Sequence, residues 1–225
     1  MIRSRKEVMA MEQEQIQNLM EEVIGREWRM FTSVSALDGR SPCQDDKRTF
    51  EIMRASQFQV WGREALLSYQ EDLKEAEAAG RNMMAEKYGY MMEYTASEEY
   101  ENIRELLPEV TEEKSELAEK LVRMQIRWME DFKRRYPDYG IRGRPLRRQD
   151  EGEGMETSIE TYSRGEFLTY SVRTLEILNE QLKELERKEE NPGIRIMDYT
   201  ARQYGYESSK DAQERLEKQR KSRSL

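Results

Sequence analysis

Met92-Glu93-Tyr94-Thr95-Ala96 returns later in the chain as Met197-Asp198-Tyr199-Thr200-Ala201, at an offset of 105 residues (197 − 92). Upstream, Gly39-Arg40 with Gln44-Asp45 is answered by Gly143-Arg144 with Gln149-Asp150, at offsets of 104 and 105. Trp28 and Phe31 are answered by Trp128 and Phe132, and Phe58 with Trp61 by Phe167 with Tyr170. Matches in one order at nearly constant spacing are the mark of an internal duplication. A duplication names an architecture but no reaction.

Composition narrows the chemistry. The 225 residues contain no histidine, where ordinary usage would supply roughly five. That excludes Ser-His-Asp and Cys-His hydrolysis, His-ligated zinc, haem and Glu-x-x-His di-iron sites within this chain. Cys43 is the single cysteine, so no intrachain disulfide, Cys-x-x-Cys pair or Fe-S cluster is expected. Carboxylate, Lys, Arg, Tyr and Ser/Thr chemistry remains, and the only metal class it permits is a hard, oxygen-ligated ion such as magnesium. No metal ligand is assigned from the sequence.

Charged residues make up 37% of the chain and the mean hydropathy is -1.02, which requires a surface of mixed charge. A net charge of -8 argues against nonspecific binding to nucleic acid. No apolar run approaches the roughly 20 residues that span a bilayer, and Met-Ile-Arg-Ser-Arg-Lys leads into no apolar signal core. A cytoplasmic location with no membrane partner is the expectation.

The apolar spacing is helical throughout. Ile16, Met20, Val23, Ile24, Trp28 and Phe31 mark a first helix that ends at Ser33 to Asp38. After a loop from Ala36 to Asp46, Asp46 caps a long helix through Phe50, Phe58, Trp61 and Leu73 to Gly80. A Met-rich helix carries Met83, Met84, Met91 and Met92, and a short one runs from Ser97 to Leu107. Thr111 opens the second half, with Leu117, Leu121, Met124, Trp128 and Phe132 as its stripe until Tyr136-Pro137. Thr157-x-x-Glu160 reads as a capping box for another long helix ending near Asn191-Pro192. Ser208 or Ser209 caps the last helix, which is expected to fray towards Leu225.

The expected fold is therefore all-α, a compact bundle of two pseudo-two-fold-related repeats, preferred to an open solenoid because two units bury more surface by closing on each other. The divisions are 1–12 as an N-terminal extension, 13–108 and 116–213 as repeats, 109–115 as connector and 214–225 as a charged tail.

The residues also carry a resemblance. Cys43-Gln44-Asp45-Asp46, Thr49-Phe50-Glu51-Ile52-Met53-Arg54 and Ser56-Gln57-Phe58 resemble the signature of a bacterial family, domain-of-unknown-function family 4125. So do Glu71-Asp72-Leu73-Lys74-Glu75-Ala76, Gly80-Arg81-Asn82, Glu86-Lys87-Tyr88 and Glu160-Thr161-Tyr162 with Arg164-Gly165-Glu166, over about Gln13 to Leu216. The resemblance implies no established activity. Members joined to a nucleotidyltransferase-like domain imply an accessory role near nucleotide or small-molecule chemistry.

Three constellations are candidates for function. In the equivalent loops, Arg40, Gln44, Asp45 and Asp46 face Arg142, Arg144, Arg147, Arg148, Gln149 and Asp150. Arginines just before a helix N-terminus can hold a phosphate or carboxylate by forked hydrogen bonds, or each loop's arginines can pair with the other's aspartates. On the long helices, Glu51, Arg54 and Gln57 match Glu160, Tyr162, Arg164, Glu166 and Tyr170. There Glu160 and Arg164 can form a surface pair, or Glu51 and Glu160 can meet on the axis as paired carboxylates. The third is the acid row Glu71, Asp72, Glu75, Glu86 and Glu93, which does not reproduce the metal-binding spacing of MazG-type pyrophosphohydrolases and reads as a solvated face.

The leading expectation is a site between the repeats for a polar or anionic small molecule. Its ligand-binding candidates are Arg40, Gln44, Asp45, Arg54, Gln57, Arg144, Arg164 and Tyr170, and its catalytic candidates Glu51, Glu160, Tyr162 and Glu166. The alternatives are a noncatalytic module that docks a partner protein and, behind it, a magnesium nucleotide pyrophosphohydrolase.

Overall fold

The structure is a computed structural model that describes residues 5–34, 39, 41–151 and 157–223, with backbone alone for 5–10. Among them are α-helices and 3-10 turns and no β-strand. The first half holds α1 (Arg5–Thr32), α2 (Lys47–Phe58), α3 (Arg63–Ala78), α4 (Met83–Thr95) and α5 (Ser97–Ile103). The second holds α6 (Glu112–Arg135), the single turn α7 (Pro137–Gly140), α8 (Ile159–Leu168), α9 (Val172–Arg187), α10 (Pro192–Gln203) and α11 (Ser209–Arg223).

Local chemistry accounts for many boundaries. Asp46 accepts from the Thr49 amide at 3.0 Å and Thr111 from that of Lys114 at 3.2 Å, each satisfying a donor that the first helical turn leaves orphaned. Lys133, Arg134 and Arg135 close α6 against its negative dipole end, and Pro137 prevents its continuation. α1 begins at Arg5, so residues 5–12 form its first turns rather than a separate extension, and α11 continues to Arg223 through the segment expected to fray.

The two long helices expected from Asp46 to Gly80 and from Thr157 to Asn191 are each broken in two. A straight helix would hold Phe58 and Tyr69 roughly 16 Å apart along its axis at about 1.5 Å per residue. The break at Gln59 to Gly62 folds α3 back, bringing the two rings to 6.2 Å and Trp61 to 5.6 Å from Tyr69. In the second half, Ser171 starts α9 afresh by accepting from the Thr174 amide, while its own amide donates to Asp72. The cap of α8 is Ser158, accepting from Thr161 at 3.2 Å, and not Thr157. Glu160 is turned instead to the backbone amide of Arg148, at 2.8 Å.

The core is one principal cluster drawn from both halves, including Val23, Phe58, Leu66, Tyr69, Leu73, Leu121, Trp128, Tyr170 and Leu175. Trp28 packs against the same cluster. Met83 and Met84 belong to it and Met91 is buried, as expected of flexible core filler. Within the halves α1 packs on α2, α3 and α4, and α6 on α8, α9 and α10; between them α4 packs on α8, α10 on α2, and α3 on α9. No helix among the described residues is long and apolar enough to cross a membrane.

Asn82 and Asn191 do matching work. Asn82 caps α4 through the Met84 and Ala85 amides and donates to Met30 O; Asn191 caps α10 through the Ile194 amide and donates to Trp128 O. They stand 109 positions apart (191 − 82), four more than the Met-acid-Tyr-Thr-Ala echo, or about one helical turn. The echo therefore lies at the end of α4 but in the middle of α10. Asn82→Ala removes a cap and a tie to the end of α1, and is expected to lower the free energy of unfolding by about 1–2 kcal/mol in urea titration.

Candidate functional site

Four charged side chains meet in the interior. Glu27 of α1 is fully buried, and Arg54 of α2 forks onto it through Nε at 2.8 Å and Nη2 at 2.6 Å. The remaining Arg54 nitrogen donates to Glu166 of α8 at 2.8 Å, whose other oxygen accepts from Lys87 of α4 at 2.6 Å. Tyr69 donates to Glu27 and Tyr170 to Glu166, both at 2.7 Å. Two negative and two positive charges cancel, and every carboxylate oxygen is satisfied, which is the condition for burying ions without a large penalty.

Burial alone would raise the Glu166 pKa, but the Arg54 and Lys87 charges and the hydrogen bonds from Lys87 and Tyr170 outweigh it and hold the carboxyl far below its ordinary value of 4.5. Burial, then Glu166, pushes the Tyr170 hydroxyl well up; burial, then Glu27, does the same to Tyr69. Both phenols stay protonated as donors, so none of the three is poised to move a proton near neutrality. A depressed carboxyl pKa contributes stability that is complete above the unfolded value and is lost as pH falls from there. Glu166→Gln is accordingly expected to be less stable than the parent at pH 7, with the gap narrowing from about pH 5 downward in urea unfolding.

The sequence candidates divide. Arg54, Glu166 and Tyr170 converge in this network, and Tyr162 lies beside it with its ring 3.6 Å from Lys87 Nζ. Glu51 is exposed and pairs with Lys47 at 3.3 Å, and Glu160 holds the Arg148 amide, so the paired-carboxylate arrangement gives way to an Arg54–Glu166 pair. Glu160 does not pair with Arg164 either, which reaches Glu93 at 2.7 Å and Glu119 at 2.9 Å. Gln44 is buried as a loop staple, donating to Phe31 O and Val34 O; Asp45 is exposed and Gln57 half-buried. Arg40 lies outside the described residues. The acid row disperses: Asp72 accepts from the Ser171 amide and the Thr174 hydroxyl at the start of α9, Glu71 pairs with Lys74, Glu86 with Arg81 and Glu93 with Arg164. Among the described residues no group of three Cys, Asp or Glu side chains is placed to hold a metal ion.

Glu27, Lys87 and Tyr69 are members of the network that sequence reasoning does not find. A signal exists for two of them: Glu27 sits between Val23 and Phe31, and Lys87 between Met83 and Met91, each a charge at an apolar-stripe position four residues from either neighbour.

Beside the network runs a stack of rings and cations on the seam of α4 and α8. Arg148 lies over Tyr94 at 3.3 Å, with Arg164 at 5.1 Å from the same ring, and Arg144 lies 4.7 Å from Tyr162. The described arginines that are not exposed are Arg26, Arg54, Arg144, Arg148 and Arg164. Arg26, Arg54 and Arg164 pair with carboxylates. The guanidiniums of Arg144 and Arg148 make no ion pair among the described residues: Arg144 donates to Thr157 O at 3.0 Å, and Arg148 Nε, shut off from solvent, has no acceptor. Glu151 feels the Arg148 charge, but its carboxylate accepts from Ser158 and Thr161. Arg147 pairs with Glu130 on the surface, and Arg142 is exposed.

A family model described as "Protein of unknown function (DUF4125)" matches residues 17–214. No curated protein and no solved structure matches the chain.

Proposed function

Starting from a chain that belongs to the DUF4125 family of proteins of unknown function, we propose that it binds a polar, anionic small molecule at the α4–α8 seam through Arg144 and Arg148. The observation that carries this is the pair of half-buried guanidiniums without an ion-paired carboxylate among the described residues, in a chain of net charge -8. Stacking on Tyr162 and Tyr94 fixes the planes of the two forks, so less entropy is lost when they close on phosphate or carboxylate oxygens. Arg164, already held by Glu93 and Glu119, positions Tyr94 rather than the ligand. The reading is one of binding, since Glu166, Tyr69 and Tyr170 have no proton to exchange near neutrality.

The test is thermal unfolding with inorganic phosphate, pyrophosphate and citrate at matched ionic strength. A saturating anion is expected to stabilise the parent, by about 2.7 kcal/mol at a hundredfold excess over Kd, and not Arg148→Ala or Arg144→Ala. If no anion moves the parent's midpoint while both variants lose stability, the arginines are packing elements and the reading fails.

The same reading takes the halves as copies of one unit. Its support is the matched work of Asn82 and Asn191, which stand 109 positions apart, as do Phe58 and Phe167.

A further inference from the structure

The start of α3 from Gly62 to Glu64, Leu117 of α6 and the face of α9 from Glu176 to Gln181 line an open cleft of about 750 Å3. Asn179, on that lining, is only 6% exposed. Its Nδ2 leans to Glu180 at 3.3 Å, but its Oδ1 has no donor, and neither has Oε1 of Gln181. A shut-in carbonyl oxygen without a donor is costly in the free protein, so two on one cleft call for a group that supplies donors. Glu64 and Glu176 have no ion-pair partner among the described residues, and Glu180 shares Lys183 at 2.9 Å; Arg63 is the one cation of the lining. The cleft thus offers acceptors and negative charge, with Ile177 and Leu117 as apolar surface.

We propose that this cleft is a binding site for an alkylammonium group, the end of a small diamine or polyamine. An ammonium brings three donors and no acceptor, matching the Asn179 carbonyl and a carboxylate of the lining, and its methylene stem suits the apolar lining. This site is independent of the arginines at the α4–α8 seam. Gly62 is what keeps Gln181 in place: a Cβ there would fall on the Gln181 amide nitrogen, the free end of a flexible side chain. Its φ of -84 is one alanine adopts freely, so Gly62→Ala swings the amide aside without straining the fold.

Calorimetric titration with putrescine and spermidine at pH 7 and constant ionic strength tests it. Saturable one-to-one binding is expected in the parent, weakened at least tenfold in Asn179→Leu and in Gly62→Ala. Asn179→Leu without amine is expected to melt no lower than the parent, since it removes an undonated buried carbonyl. Glu98→Gln with Glu99→Gln on α5 should leave the affinity within twofold. Absence of saturable binding, equal loss in the α5 variant (diffuse attraction to an acidic chain), or unchanged affinity in both Asn179→Leu and Gly62→Ala would overturn the proposal.

Discussion

Arg54→Ala is expected to destabilise the protein by about 3–5 kcal/mol, the largest effect of any single polar substitution considered. Alanine removes three hydrogen bonds at once, the fork on Glu27 and the bond to Glu166. It leaves Glu27, fully buried on α1, with the Tyr69 phenol as its only donor among the described residues. A buried carboxylate without its cation costs far more than the pair contributed, because the desolvation remains when the compensation is gone. Removing both charges should cost much less: Arg54→Met with Glu27→Leu leaves Glu166 and Lys87 as a neutral pair and is expected to recover more than half of the loss. Urea titration of the three proteins at pH 7 measures this. A loss under about 1 kcal/mol for Arg54→Ala would mean that water reaches Glu27.

Gly165→Ala is expected to cost about 1–3 kcal/mol, for a steric reason at the same seam. A Cβ on Gly165 would stand 2.6 Å from Met91 Cγ and 2.9 Å from the backbone oxygen of Lys87. Met91 can rotate, but the Lys87 carbonyl moves only with α4, and moving α4 draws the ammonium away from Glu166. The variant should therefore lose stability and also flatten the acid dependence that Glu166 supplies. Gly143→Ala, whose Cβ would meet nothing nearer than Gly140 O at 3.7 Å, is the matched control and should stay near the parent. Thermal midpoints of the two variants decide the matter; equal midpoints would show that the helices are not in close contact at Gly165.

Much of the candidate site is half legible in the chain. Arg54, Glu166 and Tyr170 can be picked out because they lie on helices expected to pack together, but their role differs from the expected one: they bond to one another inside the core. Glu27 and Lys87 escape notice because a charge in an apolar stripe looks like the edge of a solvated face until a partner arrives from another helix. The Arg144 and Arg148 loop is legible as an anion candidate, while its stacking on Tyr94 and Tyr162 is not, since those rings come from α4 and α8.

By itself the sequence determined the all-α class, caps such as Asp46 and Thr111, and the absence of imidazole chemistry. These depend on interactions within about four residues or on composition, both complete in the chain's own order. The tertiary structure alone decided where Phe58 and Tyr69 would stack by breaking a helix, that the offset between the capped helices is one turn longer than the Met-acid-Tyr-Thr-Ala echo, and which charges would be buried. A helix continues or breaks according to what it can bury, and an arginine is a surface residue or a core clamp according to whether a carboxylate stands opposite it. Both conditions are set by residues as far away as the 112 positions that separate Arg54 from Glu166.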